Sequence, residues 1–226
     1  MKIDVLTIFP EMFAGPLDAS LIGKAQKKGL VQIKIHDLRR WAENKYQSVD
    51  DRPFGGGPGM VMRPDVIDRA IKSLNLNRKS KVILLTPQGT VFNQKKAQKL
   101  SKEKHLIFIC GHYEGVDERI REHLIDEEIS IGDYVLTGGE LPAMVVIDTV
   151  VRLIPNVVGK PESLEQESFT TNRLDHPQYT RPADYKGWQV PKVLLSGDHQ
   201  QIAEWRKKQA LKKTKARRPD LLLNNR

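Results

Sequence analysis

Two short stretches of the chain crowd glycines together with ionisable residues. Residues 110–119 read Cys-Gly-His-Tyr-Glu-Gly-Val-Asp-Glu-Arg, and residues 131–140 read Ile-Gly-Asp-Tyr-Val-Leu-Thr-Gly-Gly-Glu. Each follows or ends a short apolar run. An ordinary turn needs one or two glycines to reach positive φ, yet here Gly111, Gly115, Gly132, Gly138 and Gly139 recur around Tyr113, Glu114, Asp117 and Tyr134. That pattern suits backbone loops brought close to a ligand at the carboxyl ends of strands. A third loop of this kind, Thr86-Pro87-Gln88-Gly89, follows the strand-like run Val82-Ile83-Leu84-Leu85. The chemistry such loops offer is recognition of a small organic ligand by backbone N–H and C=O groups.

Other chemistries find little support. No Gly-x-Gly-x-x-Gly opens a helix after the first strand and there is no Walker A sequence, and His and Cys lack zinc spacing, so no metal ligands are assigned. The Gly55-Gly56-Gly57-Pro58-Gly59-Met60 stretch fits either a phosphate cradle or a flexible turn. The single cysteine, Cys110, ends an apolar run and reads as a buried reduced thiol rather than a nucleophile.

The elements that must position these loops alternate through the first 155 residues. Residues 3–9 read as a strand. Met12, Phe13, Leu17, Leu21, Ile22 and Ala25 fall near a helical period ending at Gly29. Val31, Ile33 and Ile35 alternate with polar residues as in a strand. A helix is expected over 65–71 behind Pro64, and others over 94–100, 117–124 and 141–153, the last stopped near Pro155. The continuous apolar runs 82–85 and 106–109 suit strands buried on both faces. This is an α/β layout with a mostly parallel sheet.

Periodicity disappears from 156 to 185, where polar, acidic and proline residues dominate; so long a stretch is a linker or a functional lid. Beyond it lie the short segment Val193-Leu194-Leu195, the turn Ser196-Gly197-Asp198, and a helix around Ile202, Trp205 and Gln209. The expected division is 1–160 as the α/β domain, 161–185 as linker or lid, and 186–226 as a small C-terminal helical domain.

At 226 residues, 39% hydrophobic and 29% charged, the chain suits a globular protein. Its longest apolar stretch, 141–153, contains Asp148 and Arg152 and is too short to span a membrane. The opening residues carry Asp4 and read as a strand rather than a secretory leader, so a cytoplasmic location is expected. The net charge of +9 is uneven: residues 186–226 hold 11 Lys and Arg against 3 Asp and Glu, whereas the preceding residues hold 26 against 25. A basic module beside a nearly neutral one suggests a polyanion such as nucleic acid. A solvated helix face is the competing reading, and membrane lipid is disfavoured because the tail lacks a broad apolar face.

Several stretches together resemble the bacterial tRNA (guanine-N1-)-methyltransferase family. They are Ile8-Phe9-Pro10-Glu11-Met12-Phe13, residues 49–60, the Gly-His-Tyr-Glu-Gly-Val-Asp-Glu-Arg stretch, residues 131–142, Gln178-Tyr179-Thr180-Arg181-Pro182 and Leu195-Ser196-Gly197-Asp198-His199. The resemblance runs from Met1 to about Leu222, and the chain stops somewhat early relative to the family. It implies a SPOUT-class enzyme: an α/β domain with a deep trefoil knot, a C-terminal helical domain that binds tRNA, and a homodimer. Periodicity shows no knot, and general rules argue against threaded loops.

The activity implied is methyl transfer from S-adenosyl-L-methionine to N1 of guanosine 37, in the anticodon loop of tRNA. The family pattern places Leu85, Thr86 and Pro87, then Gly111, Tyr113 and Glu114, then Ile131, Gly132, Asp133, Tyr134, Val135, Leu136, Gly138 and Gly139 at the cofactor. The family is also linked to Mg2+, although no carboxylate cluster marks a site. N1 of guanine is protonated at neutral pH, so a base must take that proton, and the charge delocalised onto O6 needs a cationic donor. The matching family positions are a linker acid, here Glu167 where the family usually carries Asp, and Arg152 at the end of the preceding helix. The extra methylene moves the carboxylate by about an ångström or more unless the linker adjusts. Asp175 matches a second acid that positions the target base or its neighbour. A non-catalytic RNA-binding protein and a SPOUT enzyme acting on rRNA remain as alternatives. The glycine loops oppose the first, and the linker motif with Tyr179-Thr180-Arg181-Pro182 opposes the second.

Overall fold

The computed structural model describes residues 1–160, 164 and 167–223. Residues 161–163, 165–166 and 224–226, among them Glu162 and Glu165 of the acidic stretch, lie outside the described residues. The chain forms two compact units, Met1–Gly159 and Lys160–Arg226.

In the first unit five parallel strands form one sheet in the order β2-β1-β6-β5-β7. They are β1 (Lys2–Thr7), β2 (Gln32–Asp37), β5 (Ser80–Val91), β6 (His105–Cys110) and β7 (Glu127–Ser130), with the two-residue pair β3 (Asp50–Asp51) and β4 (Val61–Met62) beside them. Alternate side chains of the inner strands feed opposite cores. Leu106, Phe108 and Cys110 join Ile3, Val5, Ile83 and Leu85 on one face, under α1 (Ser20–Lys27), α3 (Gln94–Leu100) and α5 (Glu140–Val151). Ile107 and Ile109 join Leu6, Ile8, Val82 and Leu84 on the other, under α2 (Pro64–Ser73) and α4 (Glu118–Leu124). Every residue of β6 is buried, which explains its unbroken apolar run.

Two expectations change. The apolar residues from Met12 to Ala25 do not lie on one helix: a 3-10 turn, Pro10–Phe13, is followed by a break and then α1. Gly15 at φ 91° and Pro16 interrupt the helical path, yet Phe13, Leu17, Ile22 and Ala25 all reach the same core. The loop expected at 86–89 lies inside β5. Leu85 and Thr90 both oppose Ile129, so the intervening residues bulge out of the ladder. Pro87 is accommodated there because a bulged residue needs no ladder hydrogen bond.

The second unit centres on α6 (His199–Arg217), longer than the sequence indicates and started by Asp198, whose side chain accepts from the N–H groups of Gln200 and Gln201. A short helix, α7 (Asp220–Leu223), follows. The stretch read as a structureless connection is tied to α6: Leu174 N–H donates to the buried Thr214 Oγ1 at 2.9 Å, and Lys213 Nζ donates to Asp175 O at 3.2 Å. A hairpin joins β8 (Asp184–Tyr185) to β9 (Trp188–Gln189) through Lys186 and Gly187, both at positive φ as the tightest hairpin turns require. Among the described residues no helix is long and apolar enough to cross a membrane.

Candidate active site

The loops that leave the carboxyl ends of β6 and β7, with the bulge of β5, enclose a cavity of about 320 Å3. Leu85, Thr86 and Pro87 line it from β5; Gly111, Tyr113 and Glu114 from the loop after β6; and Ile131, Gly132, Tyr134, Val135, Leu136, Gly138 and Gly139 from the loop after β7. Of the fourteen cofactor residues assigned above, Asp133 alone is absent from the wall. Glycine backbone and aliphatic side chains share the lining with the polar side chains of Gln88, His112, Glu114 and Arg121, a mixture that suits a small organic ligand.

The loops are held in place by short-range backbone contacts. Gly139 N–H donates to Gly111 O at 2.8 Å, and a Cβ on Gly139 would stand 2.6 Å from Cys110 Cα. Only glycine permits that approach. On the opposite side Glu114 N–H donates to Met60 O and Met62 N–H to Gly115 O, both at 2.9 Å. The Gly55–Met60 stretch therefore ends by buttressing the Glu114 loop, and a Cβ on Gly59 would collide with the Glu114 carboxylate. Tyr113 holds φ 57°, an uncommon state for a bulky side chain and one found at ligand sites. Burial, then the nearby Asp50 carboxylate, pushes its hydroxyl above the usual tyrosine range.

Burial, and secondarily the Glu140 carboxylate, pushes the Cys110 thiol well above its ordinary value, so it stays a protonated core group. Glu140 is itself buried and accepts from Thr7 Oγ1 at 2.7 Å. Beside it, His112 lines the cavity with a buried Nδ1 that has no hydrogen-bond partner, its ring packed edge-on to Phe9. Sequence reading passed over His112 and Glu140, although both lie within the two glycine-rich stretches. Their signal was the polar residue kept next to glycines in an otherwise apolar setting. Arg121, also in the wall, donates to Glu128 at 2.7 and 3.1 Å and to Gln88.

The residues assigned to proton transfer are not among those that line this cavity. Arg152 forms the C-cap of α5 in the first unit, where a cation also suits the helix dipole. Glu167 and Asp175 belong to the second unit. Thr170 N–H donates to Glu167 O, starting a turn that Ser168 Oγ closes by accepting from Asp175 N–H at 2.9 Å. Both Asp175 carboxylate oxygens are engaged, Oδ1 by His176 N–H at 2.7 Å and Oδ2 by Gln178 Nε2 at 3.0 Å. Asp175 is thereby fixed in a hydrogen-bonded turn. Among the described residues no group of three or more His, Cys, Asp or Glu is placed to hold a metal ion.

Comparison with known proteins gives a single picture. The family model described as tRNA (Guanine-1)-methyltransferase TrmD matches residues 1–224. A tRNA (guanine-N(1)-)-methyltransferase of Dictyoglomus turgidum is 59% identical over 222 residues, covering 98% of this chain and 90% of the relative. Enzymes of the same name from Brevibacillus brevis and Bacillus subtilis are each 57% identical, covering 98% of this chain and 91% and 92% of their own lengths.

Proposed function

The chain belongs to the tRNA (guanine-1)-methyltransferase TrmD family, and from that premise we propose that it methylates N1 of guanosine 37 of tRNA with S-adenosyl-L-methionine as donor. The observation that carries this reading is the strand-end cavity of about 320 Å3, walled by three loops whose backbone groups are brought within contact distance of each other. Leu85, Ile131 and Leu136 suit the faces of an adenine, the glycine backbones its polar edge, and Glu114 the electropositive sulfonium end. The unpartnered Nδ1 of His112 in the wall fits a site whose polar groups are completed by a ligand. When bound, the donor supplies an electrophilic methyl group.

The chain's own residues then have to manage one proton and one charge. Glu167 accepts the proton of N1 as the nitrogen becomes a nucleophile. Arg152 donates toward O6, where the negative charge gathers. Asp175, held in its turn by His176 and Gln178, orients the base or its neighbour rather than taking the proton.

We also propose the homodimer that the family implies, in which one chain's pocket meets the linker and basic helix of the other. Support comes from apolar side chains left on the first unit's surface. Leu141 and Val145, one turn apart on α5, are 49% and 46% exposed, and Val135 beside the pocket is 83% exposed. The family's trefoil knot would bring the loops after β6 and β7 together, and the close approach of Gly139 to Cys110 and Gly111 fits it. The decisive experiment incubates the chain with tRNA and S-adenosyl-L-methionine and analyses the nucleosides by mass spectrometry. N1-methylguanosine at position 37 is expected; methylation of another atom or of rRNA alone would refute the reading.

A further inference from the structure

A second cavity, of about 300 Å3, lies within the second unit, and none of the residues assigned to the cofactor or to proton transfer lines it. Its size is at the small end of the range for ligand sites. Tyr179, Leu195 and Ile202 give it an aromatic and aliphatic wall, and Leu195 remains 62% exposed. Arg181 and Arg206 also line it, and no acidic residue does. Neither guanidinium has an ion-pair partner among the described residues, whereas those of Arg63, Arg69, Arg119, Arg121 and Arg218 are all paired.

The third feature is His176, which is 9% exposed and lines the same cavity. Gln178 Nε2 lies 3.0 Å from both Asp175 Oδ2 and His176 Nδ1. Nδ1 also lies 3.2 Å from Asp175 Oδ1, so this ring nitrogen has polar partners wherever the ring proton sits. Nε2, by contrast, is buried and has no hydrogen-bond partner among the described residues. A buried polar atom left open calls for a hydrogen-bonding group from outside the chain.

We infer that this cavity receives one unstacked nucleotide of the RNA substrate. Its base packs on Tyr179 and the aliphatic wall, a polar group on the base edge hydrogen-bonds His176 Nε2, and its phosphate is held by Arg181 and Arg206. The combination of a π-face, an unpartnered polar atom and cations without acidic partners is what single-stranded RNA asks of a protein. An acidic peptide would use the arginines but not the stacking face. The exposed Lys207, Lys208 and Lys212 on the same helix continue the positive charge expected along a phosphate backbone. This inference rests on the tRNA reading above.

The test compares binding of the full chain to a tRNA transcript and to a blunt RNA duplex at one salt concentration. Tyr179→Ala, and Leu195→Trp to fill the cavity, should each weaken tRNA binding about 5-fold or more, the size of losing one stacked base. Tyr179→Phe should bind as wild type. Duplex binding and S-adenosyl-L-methionine binding should not change in any variant, which also reports that the chain is folded. Wild-type tRNA affinity in Tyr179→Ala, or an equal loss for duplex and tRNA, would overturn the inference while leaving methyl transfer intact. A wild-type chain that neither binds nor methylates tRNA would overturn the broader reading and this one with it.

Discussion

The cavity of the first unit is framed by main-chain contacts between its loops, whereas the second unit presents its chemistry on side chains. Around the first, Gly139 donates to Gly111, Glu114 to Met60 and Met62 to Gly115, so the wall is set by main-chain hydrogen bonds between neighbouring loops. In the second, Lys207, Lys208, Lys212 and Lys215 stand exposed along one face of α6, which itself buries little beyond Thr214. A small ligand of fixed shape is best met by a preorganised wall that loses no side-chain entropy on binding. A long polyanion is best met by mobile cations that release counterions. The two units therefore should fail differently when altered.

The largest failure is expected at Gly139. Adding one methyl group, Gly139→Ala, puts a Cβ 2.6 Å from the backbone of Cys110, so the loop must move and S-adenosyl-L-methionine binding should fall below detection by calorimetry. Mixed with a Glu167→Gln chain and allowed to exchange subunits, the same variant should regain part of its methyl transfer, because a heterodimer holds one intact pocket facing one intact linker. No recovery after verified exchange would place the whole site in one chain.

The second prediction concerns a polar cluster at the amino ends of the strands, away from the pocket. Asp4 is fully buried, with His36 Nε2 at 2.7 Å, His105 Nε2 at 2.6 Å and Lys2 Nζ at 2.8 Å, and Ser80 Oγ stands 2.9 Å from His105 Nδ1. Burial raises the Asp4 carboxyl, but hydrogen bonds from His36, Lys2 and His105 outweigh it and hold the group well below the usual carboxylate range. A depressed folded-state value means the stabilisation is present above the unfolded-state value, about pH 4, and is lost as pH falls through the folded one. Asp4→Asn should cost about 3 kcal/mol at pH 7, as for a broken buried pair. It should also flatten the acid limb of stability measured by urea unfolding. A pH profile parallel to wild type would show that Asp4 is not the group responsible.

A smaller effect is expected on α6. Neutralising Lys207, Lys208 and Lys212 to Gln should reduce the salt slope of tRNA binding by roughly 0.7 to 0.9 per lost phosphate contact, with cofactor affinity unchanged. Lys213 is left out because its ammonium donates to Asp175 O and so supports the linker turn. An unchanged slope would mean that these charges face only solvent.

Much of the first unit was legible because its signals are local. The run from Leu106 to Ile109 announces a doubly buried strand, and α3 is bounded by Asn93, whose side chain caps it by accepting from Lys96 N–H. What escaped depends on distant partners. The two-to-one pairing of Leu85 and Thr90 with Ile129 is a property of two strands, not of Thr86-Pro87-Gln88-Gly89. Asp4 meets His105 across 101 residues, and nothing in its neighbours marks it as buried. The hairpin at 184–189 was missed because Lys186 takes the positive φ more usual for Asn or Gly. Likewise the stretch after 167 lacks periodicity because it is held by single hydrogen bonds to Thr214 and Ser168, not by a repeating face.

The division of labour between the units is tested most directly by Glu167→Gln, assayed for single-turnover methyl transfer to tRNA alongside S-adenosyl-L-methionine affinity. The substitution keeps the side chain's size and removes its capacity to take a proton. A rate lower by ~10²-fold or more is expected, the usual cost of losing a general base, with cofactor affinity unchanged. Methyl transfer at the wild-type rate, with Asp175→Asn inactive instead, would contradict it and move the base to Asp175.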